Sequence, residues 1–493
     1  MTAMWHEEHL YIDGELLEAE GGKVYDNVNP ANEQVLGVAA DASSDDILRA
    51  IAAARRAFDN TDWAANVALR ARCLRQLHHA MVEHHVDLGE LTIAEVGAPR
   101  MLLDGPQLAI PRNYLTYYAD LAERHAWRTD LGVADTLGGP AQRWVEHEPV
   151  GVVAAITPWN YPTQINLAKV APALAAGCTV VLKGAPDTPW SALALGKLAA
   201  EYTDLPPGVL NIVSSGVKEI GEIMTSDARV DMVSFTGSTA VGRRIMAAGA
   251  PTIKRVFLEL GGKSAHIVLD DVEDLGAGVA GACIQVCVHS GQGCATTSRL
   301  LLPRRRYDEG VQAAAALLAA MPVGDPNDAN VLAGPIINAS QLARIEGLVA
   351  KALAEGGRLV TGGKRPQQFE KGFWFEPTLI ADVDNAMTIA REEVFGPVLV
   401  AIPYDDDDDA VRIANDSTYG LSGAVSGADQ GRAVAIGRRI RTGTMSINGG
   451  TWYNADVPFG GYKQSGIGRE MGVAGFEEYL EQKAIAAPAG TRA

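Results

Sequence analysis

Short apolar runs alternate with amphipathic stretches from Val150 to Gly242. Val150–Ile156 is an almost continuous apolar run, which is typical of a strand buried on both faces of a sheet. Similar runs predict three further strands, at Thr179–Leu182, Val209–Val213 and Val230–Phe235. The segments between them predict helices, at Ile165–Ala176, Trp190–Tyr202 and Ile220–Thr225, and a further helix opened by Gly237 to Gly242. This alternation predicts a parallel sheet with helices on both faces.

The regions on either side have other patterns. The first 120 residues are mainly helical in pattern, with apolar positions at helical spacing in Asp45–Phe58 and Arg70–Leu91. A second α/β region runs from about Gly262 to Phe459. Ala484–Ala487 predicts a short apolar strand, which alone would be an exposed edge. The Pro/Gly-rich breaks are short, so we expect the domains to pack closely.

Composition and charge narrow the class of protein. Of 493 residues, 47% are hydrophobic and 21% are charged, which is ample material for a buried core. The net charge of −18 argues against a nucleic-acid partner, because phosphate-backbone affinity comes from clustered Lys and Arg. The longest near-apolar stretch, Ala313–Val323, is shorter than the ~20 residues of a spanning helix, and no secretion signal is evident at the start. We expect neither a nucleic acid nor a membrane as partner.

Neither the cysteines nor the acidic run Asp405–Asp409 predicts a metal site. Five cysteines are too few and too scattered for a disulfide scaffold, and Cys283-x3-Cys287 lacks the second pair of ligands that structural zinc needs. We therefore expect a reduced, cytoplasmic protein and no bound metal. Asp405–Asp409 lacks the spacing of a calcium loop. We expect a solvated loop whose last residue, Asp409, caps a helix that begins near Ala410.

One thiol lies among glycines. Gly291 and Gly293 flank the approach to Cys294, which lets the chain turn tightly and leaves space beside the sulfur. A backbone amide at such a turn can point at an oxyanion. From these residues alone, a reactive thiol and an ordinary buried cysteine both stay open.

A carboxylate and an amide lie near the ends of predicted strands. Glu259 is near the end of the strand Val256–Leu260 and precedes two glycines. If half buried, its pKa should rise toward neutrality, and it could act as a base on water. Asn160, in Thr157–Pro162, follows a strand's carboxyl end, where open α/β sheets bind ligands. A surface glutamate in a salt bridge and an ordinary Asx turn are the alternatives.

A phosphate seat is predicted at Phe235–Gly242. This segment combines a strand, Gly237–Ser238 and a helix start, whose free N–H groups attract anions. We reject Gly466–Gly472 as a dinucleotide fingerprint, because it has one residue too many and no preceding strand. The absence of Gly-x4-Gly-Lys-Ser/Thr excludes a simple nucleotide hydrolase.

Seven motifs in this order resemble the NAD(P)-dependent aldehyde dehydrogenase superfamily. The resemblance spans nearly the whole chain, from Tyr11–Gly14 and Asn29–Pro30 to the end. The motifs are Thr157–Pro162, Lys183, Phe235–Gly242, Glu259–Lys263, Gly291–Cys294, Glu392–Pro397 and Pro458–Gly466.

The resemblance implies a reaction. Cys294 would attack an aldehyde to give a thiohemiacetal, while the Asn160 amide and the Cys294 backbone N–H hold the oxyanion. Hydride transfer to the cofactor would leave a thioester, and Glu259 would activate the water that hydrolyses it. We expect the sulfur to be poised as a thiolate where the carbonyl carbon and the nicotinamide converge.

The resemblance also implies the cofactor residues. Lys183 matches the lysine that reaches an adenosine ribose hydroxyl, Gly237 and Ser238 match the pyrophosphate seat, and Glu393 and Phe395 match the pair that positions the nicotinamide riboside. Further cofactor-binding residues are implied, namely Ile156, Thr157, Pro158, Trp159, Pro186, Phe235, Val241 and Leu260. Pro186 stands where the family has a ribose-binding glutamate, so one acceptor expected for NAD is missing and one negative charge against a 2′-phosphate is lost. With Asp187 as a substitute acceptor, we still favour NAD and leave NADP open.

The implied fold class is α/β, with three parts. A Rossmann-type parallel-sheet cofactor domain covers 1–126 and 150–261, an α/β catalytic domain covers 262–461, and a small β oligomerisation ribbon is built from 127–149 and 462–493. An open edge at Ala484–Ala487 favours a homodimer or homotetramer. Small residues, Ala168, Gly293 and Ala295, predict a roomy apolar pocket for medium or aromatic aldehydes, with Tyr161, Trp452 and Tyr453 as walls.

The sequence leaves two other functional classes open as alternatives. His289 precedes Cys294 by five residues, so a Cys-His thiol hydrolase or acyltransferase without redox chemistry is the alternative. On one continuous helix these two side chains would not face each other well. A catalytically silent structural relative is the third class, and the presence of Cys294, Glu259 and Asn160 argues against it.

Overall fold

The region before the parallel sheet forms short strands first and helices afterwards. In the computed structural model, which describes residues 7–217 and 219–491, the strands are β1 (Leu10–Ile12), β2 (Glu15–Leu17), β3 (Val24–Val28) and β4 (Val35–Ala40). The helices are α1 (Ser44–Asn60), α2 (Val67–Glu83), α3 (His85–Val96) and α4 (Ala109–Arg124). The predicted helical character therefore begins at Ser44.

The helical spacing at Arg70–Leu91 belongs to two helices, α2 and α3, which meet at His84. His84 has φ −95° and ψ 19°, which ends the helical conformation. The helix α2 packs mainly against α4, whereas α3 packs against a later helix, α6 (Pro189–Tyr202). One straight helix could not bury both of these faces.

The predicted parallel sheet forms the first core. Its parallel strands are β7 (Val152–Ile156), β8 (Thr179–Lys183), β9 (Leu210–Val213), β10 (Met232–Thr236) and β11 (Arg255–Glu259), in the order β11-β10-β7-β8-β9. The helices between them are α5 (Pro162–Ala176), α6, α7 (Glu219–Ser226) and α8 (Thr239–Gly249). Nearly every residue of β7 to β10 is buried. Because successive side chains point to opposite faces, both faces of this sheet are covered.

A seven-stranded sheet forms the second core, as the α/β pattern after Gly262 predicts. Its strands are β12 (Ala265–Val268), β13 (Arg299–Pro303), β14 (Arg358–Thr361), β15 (Thr378–Ala381), β16 (Val398–Tyr404), β17 (Gly423–Ser426) and β18 (Ser446–Ile447). Its helices are α9 (Leu275–Cys287), α10 (Tyr307–Ala320), α11 (Ala339–Ala354), α12 (Thr388–Arg391), α13 (Asp407–Asn415) and α14 (Gln430–Gly437).

The expected role of Asp409 as a helix cap is wrong. The helix α13 begins at Asp407, and its N-cap is Asp406, whose Oδ1 accepts the Asp409 N–H at 2.9 Å. Asp406 is extended, with φ −149°, so its side chain reaches the first turn of the helix. The rest of the acidic run pairs with exposed arginines, for example Asp408 with Arg439.

The segment after the second sheet returns to the first one. It contains β19 (Gly466–Ile467), α15 (Gly472–Glu477) and β20 (Leu480–Pro488). β19 pairs with β11 in the parallel sheet, whereas β20 pairs with β6 (Gly139–Pro149), which also pairs with β5 (Arg128–Thr136). The division into 1–126 with 150–261, 262–461, and 127–149 with 462–493 stays a prediction, and its two terminal bounds lie outside the described residues. No helix of the described chain is long and apolar enough to cross a bilayer.

Candidate active site

The carboxyl ends of the parallel strands bring four predicted motifs to one edge of the sheet. Thr157 follows β7, Lys183 ends β8, Gly237 follows β10 and Glu259 ends β11. These strands are neighbours in register, with Ile156 opposite Lys183 and Thr236 opposite Glu259. Residues that are distant in sequence therefore share one cleft, where open α/β sheets bind ligands.

Cys294 reaches this cleft through a tight turn. The helix α9 ends at Cys287, and three consecutive residues then have positive φ, at 49° for His289, 52° for Ser290 and 67° for Gly291. A side chain at Gly291 would overlap the Gly396 carbonyl, and one at Gly262 would overlap the Cys294 carbonyl. All five cysteines are free, and Cys294 alone among them is partly exposed.

A thiolate at Cys294 stays a prediction. Burial raises the pKa of the Cys294 thiol well above its ordinary value, and the nearby carboxylates Glu259, Glu393 and Glu470 raise it further. These surroundings favour the protonated thiol, so a base that takes its proton would assist attack.

Glu259 has the properties of such a base. Its side chain is buried, and neither carboxyl oxygen has a hydrogen-bond partner among the described side chains. Burial raises its pKa well above the ordinary value, and the negative charge of Glu470 adds to this, while Lys169 and Arg469 oppose it. The direction agrees with the prediction, although the carboxyl is fully rather than half buried. A carboxyl of raised pKa can take a proton from water near neutrality.

Sequence reasoning missed a buried ion pair behind Glu259. Lys169 Nζ lies 2.6 Å from Glu470 Oε1, and their side chains are 0% and 8% exposed. Lys169 also lies 4.9 Å from the centre of the Phe257 ring. The available signal was one lysine inside the otherwise apolar helix predicted at Ile165–Ala176. Such a paired charge beside a titrating carboxyl is typical of a functional site.

Asn160 also lies in the cleft, and the Asx-turn alternative is wrong. Its Nδ2 donates to the carbonyl oxygen of Gln292 at 2.8 Å, across 132 residues. Because Gln292 is two residues before Cys294, this bond places the Asn160 amide beside the thiol. The second N–H of the amide is available to an oxyanion.

The predicted lysine for the adenosine ribose is buried but weakly bonded. Lys183 Nζ donates to the Ser215 and Gly184 carbonyls at 3.3 and 3.4 Å. Burial lowers its pKa to about 8, and the negative charges of Asp41 and Asp187 oppose this. Donor capacity is therefore left for a hydroxyl. Pro186 is exposed, and Asp187 Oδ1 accepts from Asn338 Nδ2 at 2.8 Å.

The predicted pyrophosphate seat is a capped helix start. Ser238 is the N-cap of α8, and its Oγ accepts the Val241 N–H at 3.4 Å. The helix therefore begins at Thr239 rather than at Gly237. A side chain at Gly237 would press on Phe235, and one at Gly242 would press on Leu260. These glycines let α8 lie close to the ends of β10 and β11.

Hydrogen bonds from Gly262 and from α11 hold Glu393, one of the two residues predicted to position the nicotinamide riboside. Glu393 Oε1 accepts the Gly262 N–H at 2.9 Å, and Arg344 donates to the Glu393 carbonyl at 2.7 Å. Burial raises the pKa of Glu393 to about 7. Phe395, with φ 56°, places its ring edge-on to Trp159 at 5.3 Å between centres. This contact brings the 393–395 segment to the turn that follows Ile156 and contains Pro158.

Tyr161 lies near the thiol, and further aromatic residues pack against the first core. Cys294, Ala295, Trp452 and Tyr453 pack against one apolar core that includes Ala168. The Tyr453 hydroxyl lies 2.7 Å from that of Tyr114. Trp452 stacks on Phe459 with ring centres 5.4 Å apart, and the pKa of Tyr161 is raised by burial and by Cys294. Tyr161, Trp452 and Tyr453 stay predicted as walls of the substrate pocket.

The thiol-hydrolase alternative needs a hydrogen bond between His289 and Cys294. His289 is buried, and neither ring nitrogen bonds to Cys294 in the described structure. Its ring instead lies edge-on to Tyr161 at 5.4 Å, and burial lowers its pKa to about 4. The two residues are not on one helix, so the predicted spacing argument does not apply, but the pair is absent.

Comparisons with known proteins show the family to which the chain is similar. Residues 16–485 match the aldehyde dehydrogenase family. The chain is 40% identical to a 3-succinoylsemialdehyde-pyridine dehydrogenase of Pseudomonas sp, over 97% of this chain and 98% of the relative. A geranial dehydrogenase of Castellaniella defragrans is also 40% identical, with the same two coverages.

Solved structures agree over the same length. A Mycobacterium tuberculosis aldehyde dehydrogenase complexed with NAD+ has a TM-score of 0.93 and 42% identity, over 99% of both chains. A mutant of aldehyde dehydrogenase C from Pseudomonas syringae, complexed with NAD+ and octanal, has a TM-score of 0.92 and 40% identity, over 99% of this chain and 98% of that chain.

Proposed function

The chain belongs to the aldehyde dehydrogenase family, which oxidises aldehydes with NAD(P), and we propose that Cys294, Glu259 and Asn160 carry this reaction. One observation carries the proposal. A partly exposed thiol, a buried carboxyl of raised pKa and a buried amide donor meet at one edge of the parallel sheet. No observation favours the hydrolase alternative.

The first half of the reaction forms a bond to Cys294. Its sulfur loses a proton, toward Glu259, and attacks the aldehyde carbon. The carbonyl oxygen becomes an oxyanion, which the free N–H of the Asn160 amide and the Cys294 backbone N–H stabilise. Donors fixed in advance are worth more here than in water, because they need not reorient. Bound NAD+ would supply the acceptor for the hydride that leaves this carbon, and Cys294 would then hold the acyl group as a thioester.

The second half removes the acyl group. Glu259 first releases to solvent the proton that it took from Cys294, then accepts a proton from water, and the resulting hydroxide attacks the thioester. The carboxylic acid leaves, and the proton on Glu259 returns to the Cys294 sulfur. The Lys169–Glu470 pair lies beside Glu259 and adjusts its proton affinity, since Lys169 lowers and Glu470 raises its pKa.

The residues at the strand ends fit the cofactor. Lys183 has spare donor capacity for the adenosine ribose, Ser238 and the start of α8 suit a pyrophosphate, and Glu393 suits a ribose hydroxyl. NAD+ is favoured over NADP+ because Asp41 and Asp187 both lie near Lys183 and would oppose a 2′-phosphate. Although Pro186 replaces the family's glutamate, two other negative charges, Asp41 and Asp187, therefore remain near Lys183.

The aromatic walls support a medium or aromatic aldehyde as substrate. Tyr161, Trp452 and Tyr453 offer broad apolar surfaces, and Ala168 leaves room between them. The relative that acts on geranial and the neighbour bound to octanal have substrates of this size.

A homodimer or homotetramer is proposed from the small sheet. β20 has one neighbour, β6, among the described strands, and Leu131, Val133 and Leu137 of the β5–β6 hairpin are exposed. Pairing with another subunit would cover this surface. A cytoplasmic location is proposed from the five free cysteines. Sedimentation as a monomer would contradict the oligomer.

One experiment tests the proposed function. A panel of aldehydes is incubated with NAD+ or NADP+, and the absorbance of the reduced nucleotide is followed for the wild type and for Cys294→Ala. We expect reduction with medium apolar aldehydes, faster with NAD+, and none with Cys294→Ala. Ester cleavage that depends on His289, without any reduced nucleotide, would instead support the hydrolase.

A further inference from the structure

We propose that Gln107 is a positioning residue for Asn160, the oxyanion donor of the proposed function on which this inference rests. Gln107 lies between a short 3₁₀ turn at Arg100–Leu102 and the helix α4. Its side chain is fully buried, and its Nε2 donates to the backbone carbonyl oxygen of Asn160 at 3.0 Å. No motif singled out in the sequence contains it.

Gln107 itself is fixed on a rigid loop. Its backbone N–H donates to the Leu102 carbonyl at 3.0 Å, and the next turn is held by the Ala109 N–H on the Leu103 carbonyl at 2.9 Å. The side chain therefore projects from a hydrogen-bonded base, so it can fix another residue rather than follow it.

Asn160 needs such support. It lies between β7 and α5, where neither a strand ladder nor a helix fixes its backbone. Its side chain is held from the other side by the Gln292 carbonyl at 2.8 Å. Gln292 is in turn anchored, since its Oε1 accepts the Ile337 N–H at 2.9 Å and its Nε2 donates to the Pro335 carbonyl at 3.1 Å.

Asn160 is thus clamped at two points by two buried glutamines. Gln107 holds its backbone carbonyl, and the Gln292 backbone holds its side-chain amide. With both ends fixed, the free N–H of the amide keeps one direction, toward the space beside Cys294. A hydrogen-bond donor held in place before reaction stabilises the oxyanion most strongly in the transition state.

The buried side-chain oxygen of Gln107 also supports a positioning role. Its Oε1 is buried and has no hydrogen-bond partner among the described residues. A buried acceptor without a partner loses its hydration, so an apolar side chain of equal size would fill this space more cheaply. A glutamine here is explained by the use of its donor.

The test compares Gln107→Met, which keeps the size but removes the donor, with the wild type. Three rates are measured: aldehyde oxidation with NAD+, hydrolysis of p-nitrophenyl acetate without nucleotide, and alkylation of Cys294 by iodoacetamide. The first two pass through an oxyanion. Alkylation does not, because the sulfur displaces iodide from a saturated carbon. The matched control is Gln76→Met, which makes the same change at an exposed glutamine paired with Asp204.

We expect Gln107→Met to lower oxidation and ester hydrolysis about 10-fold, with the alkylation rate and the KM for NAD+ within twofold of wild type. Gln76→Met should leave all of them unchanged. Adding Gln107→Met to Asn160→Ala should cost no further activity, because the two residues act through one donor. If Gln107→Met does not fold, as judged by thermal unfolding, Gln107→Asn retracts the same amide by one methylene and should show the same pattern.

Two outcomes would overturn the inference and are distinct from failure of the proposed function. If Asn160→Ala loses activity while Gln107→Met keeps both oxyanion reactions, Gln107 has no positioning role. If alkylation falls in parallel with ester hydrolysis, Gln107 acts on the fold around the thiol instead. If Asn160→Ala itself keeps full activity, the oxyanion assignment fails and the inference falls with it.

Discussion

The ammonium group of Lys169 lies 2.6 Å from the carboxylate of Glu470, and both side chains are shielded from solvent. The pair joins α5 to the segment after β19, 301 residues apart in sequence. Both charges act on the proton affinity of Glu259. The pair therefore connects the packing of the fold to the chemistry of the base.

Removing one partner of this pair should destabilise the protein strongly. Lys169→Met leaves Glu470 as an uncompensated buried charge, which costs about 3–5 kcal/mol of unfolding free energy. Chemical denaturation measures this cost. The control is Arg304→Met, which breaks an exposed pair with Asp405 and should cost less than about 1 kcal/mol. Equal losses in the two variants would show that the Lys169–Glu470 pair is not buried as described.

The fall of the deacylation rate at low pH should follow the protonation of Glu259. Because its pKa is raised, the carboxylate needed as base is lost at a higher pH than for an ordinary carboxyl of about 4.3. Deacylation measured in single turnovers should therefore slow as the pH falls, well above that value. Glu259→Gln should slow deacylation by about 10²–10⁴-fold and abolish this limb of the profile. An unchanged limb in the variant would assign it to another group.

A second buried carboxyl should make stability depend on pH. Burial raises the pKa of Glu95 from 4.5 to about 7, although Ser191 and Asn27 donate to it. The folded state thus binds this proton more tightly than the unfolded state. The contribution of Glu95 to stability is full below pH 4.5 and is lost as pH rises through 7, by about 3 kcal/mol.

Glu95→Gln should remove this dependence, because the amide does not titrate. Unfolding free energies of both proteins between about pH 5 and 8 measure it. The wild type should lose more stability than the variant across this range. Parallel curves would mean that Glu95 titrates normally in the folded state.

Nucleotide preference should respond to Asp187. Asp187→Asn removes one of the two negative charges near Lys183 and should raise the NADP+ to NAD+ ratio of kcat/KM about 5–10-fold. Asp45→Asn, in the first turn of α1, serves as the control and should leave the ratio unchanged. An unaltered ratio in Asp187→Asn would place the 2′-hydroxyl away from this carboxylate.

Periodicity and strand ends made much of the fold predictable. The runs at Val150–Ile156 and Thr179–Leu182 predict parallel strands because buried β residues are apolar on both faces, and the carboxyl ends of such strands share an edge. This is why the sequence places Asn160 and Glu259 near the ends of strands, whereas Lys183 entered only through the resemblance. The resemblance then supplied the role of Cys294, which its flanking glycines alone left open.

Contacts between distant segments could not be predicted. The break at His84 follows from what α2 and α3 pack against, and the capping by Asp406 follows from the extended backbone at the end of β16. The partner of Lys169 lies 301 residues away in sequence, and the partner of Gln107 lies 53 residues away. No local sequence pattern can therefore predict either contact. The raised pKa of the Cys294 thiol likewise depends on burial and on carboxylates brought in by tertiary structure.

The most direct test of the account is the mass of the protein after reaction. Glu259→Gln is mixed with NAD+ and a medium-chain aldehyde, quenched in acid, digested and analysed by mass spectrometry. We predict that the peptide containing Cys294 gains the mass of the acyl group, and that Cys294→Ala in the same background gains none. An acyl group on another residue, or reduced nucleotide formed at the wild-type rate without Cys294, would contradict the account.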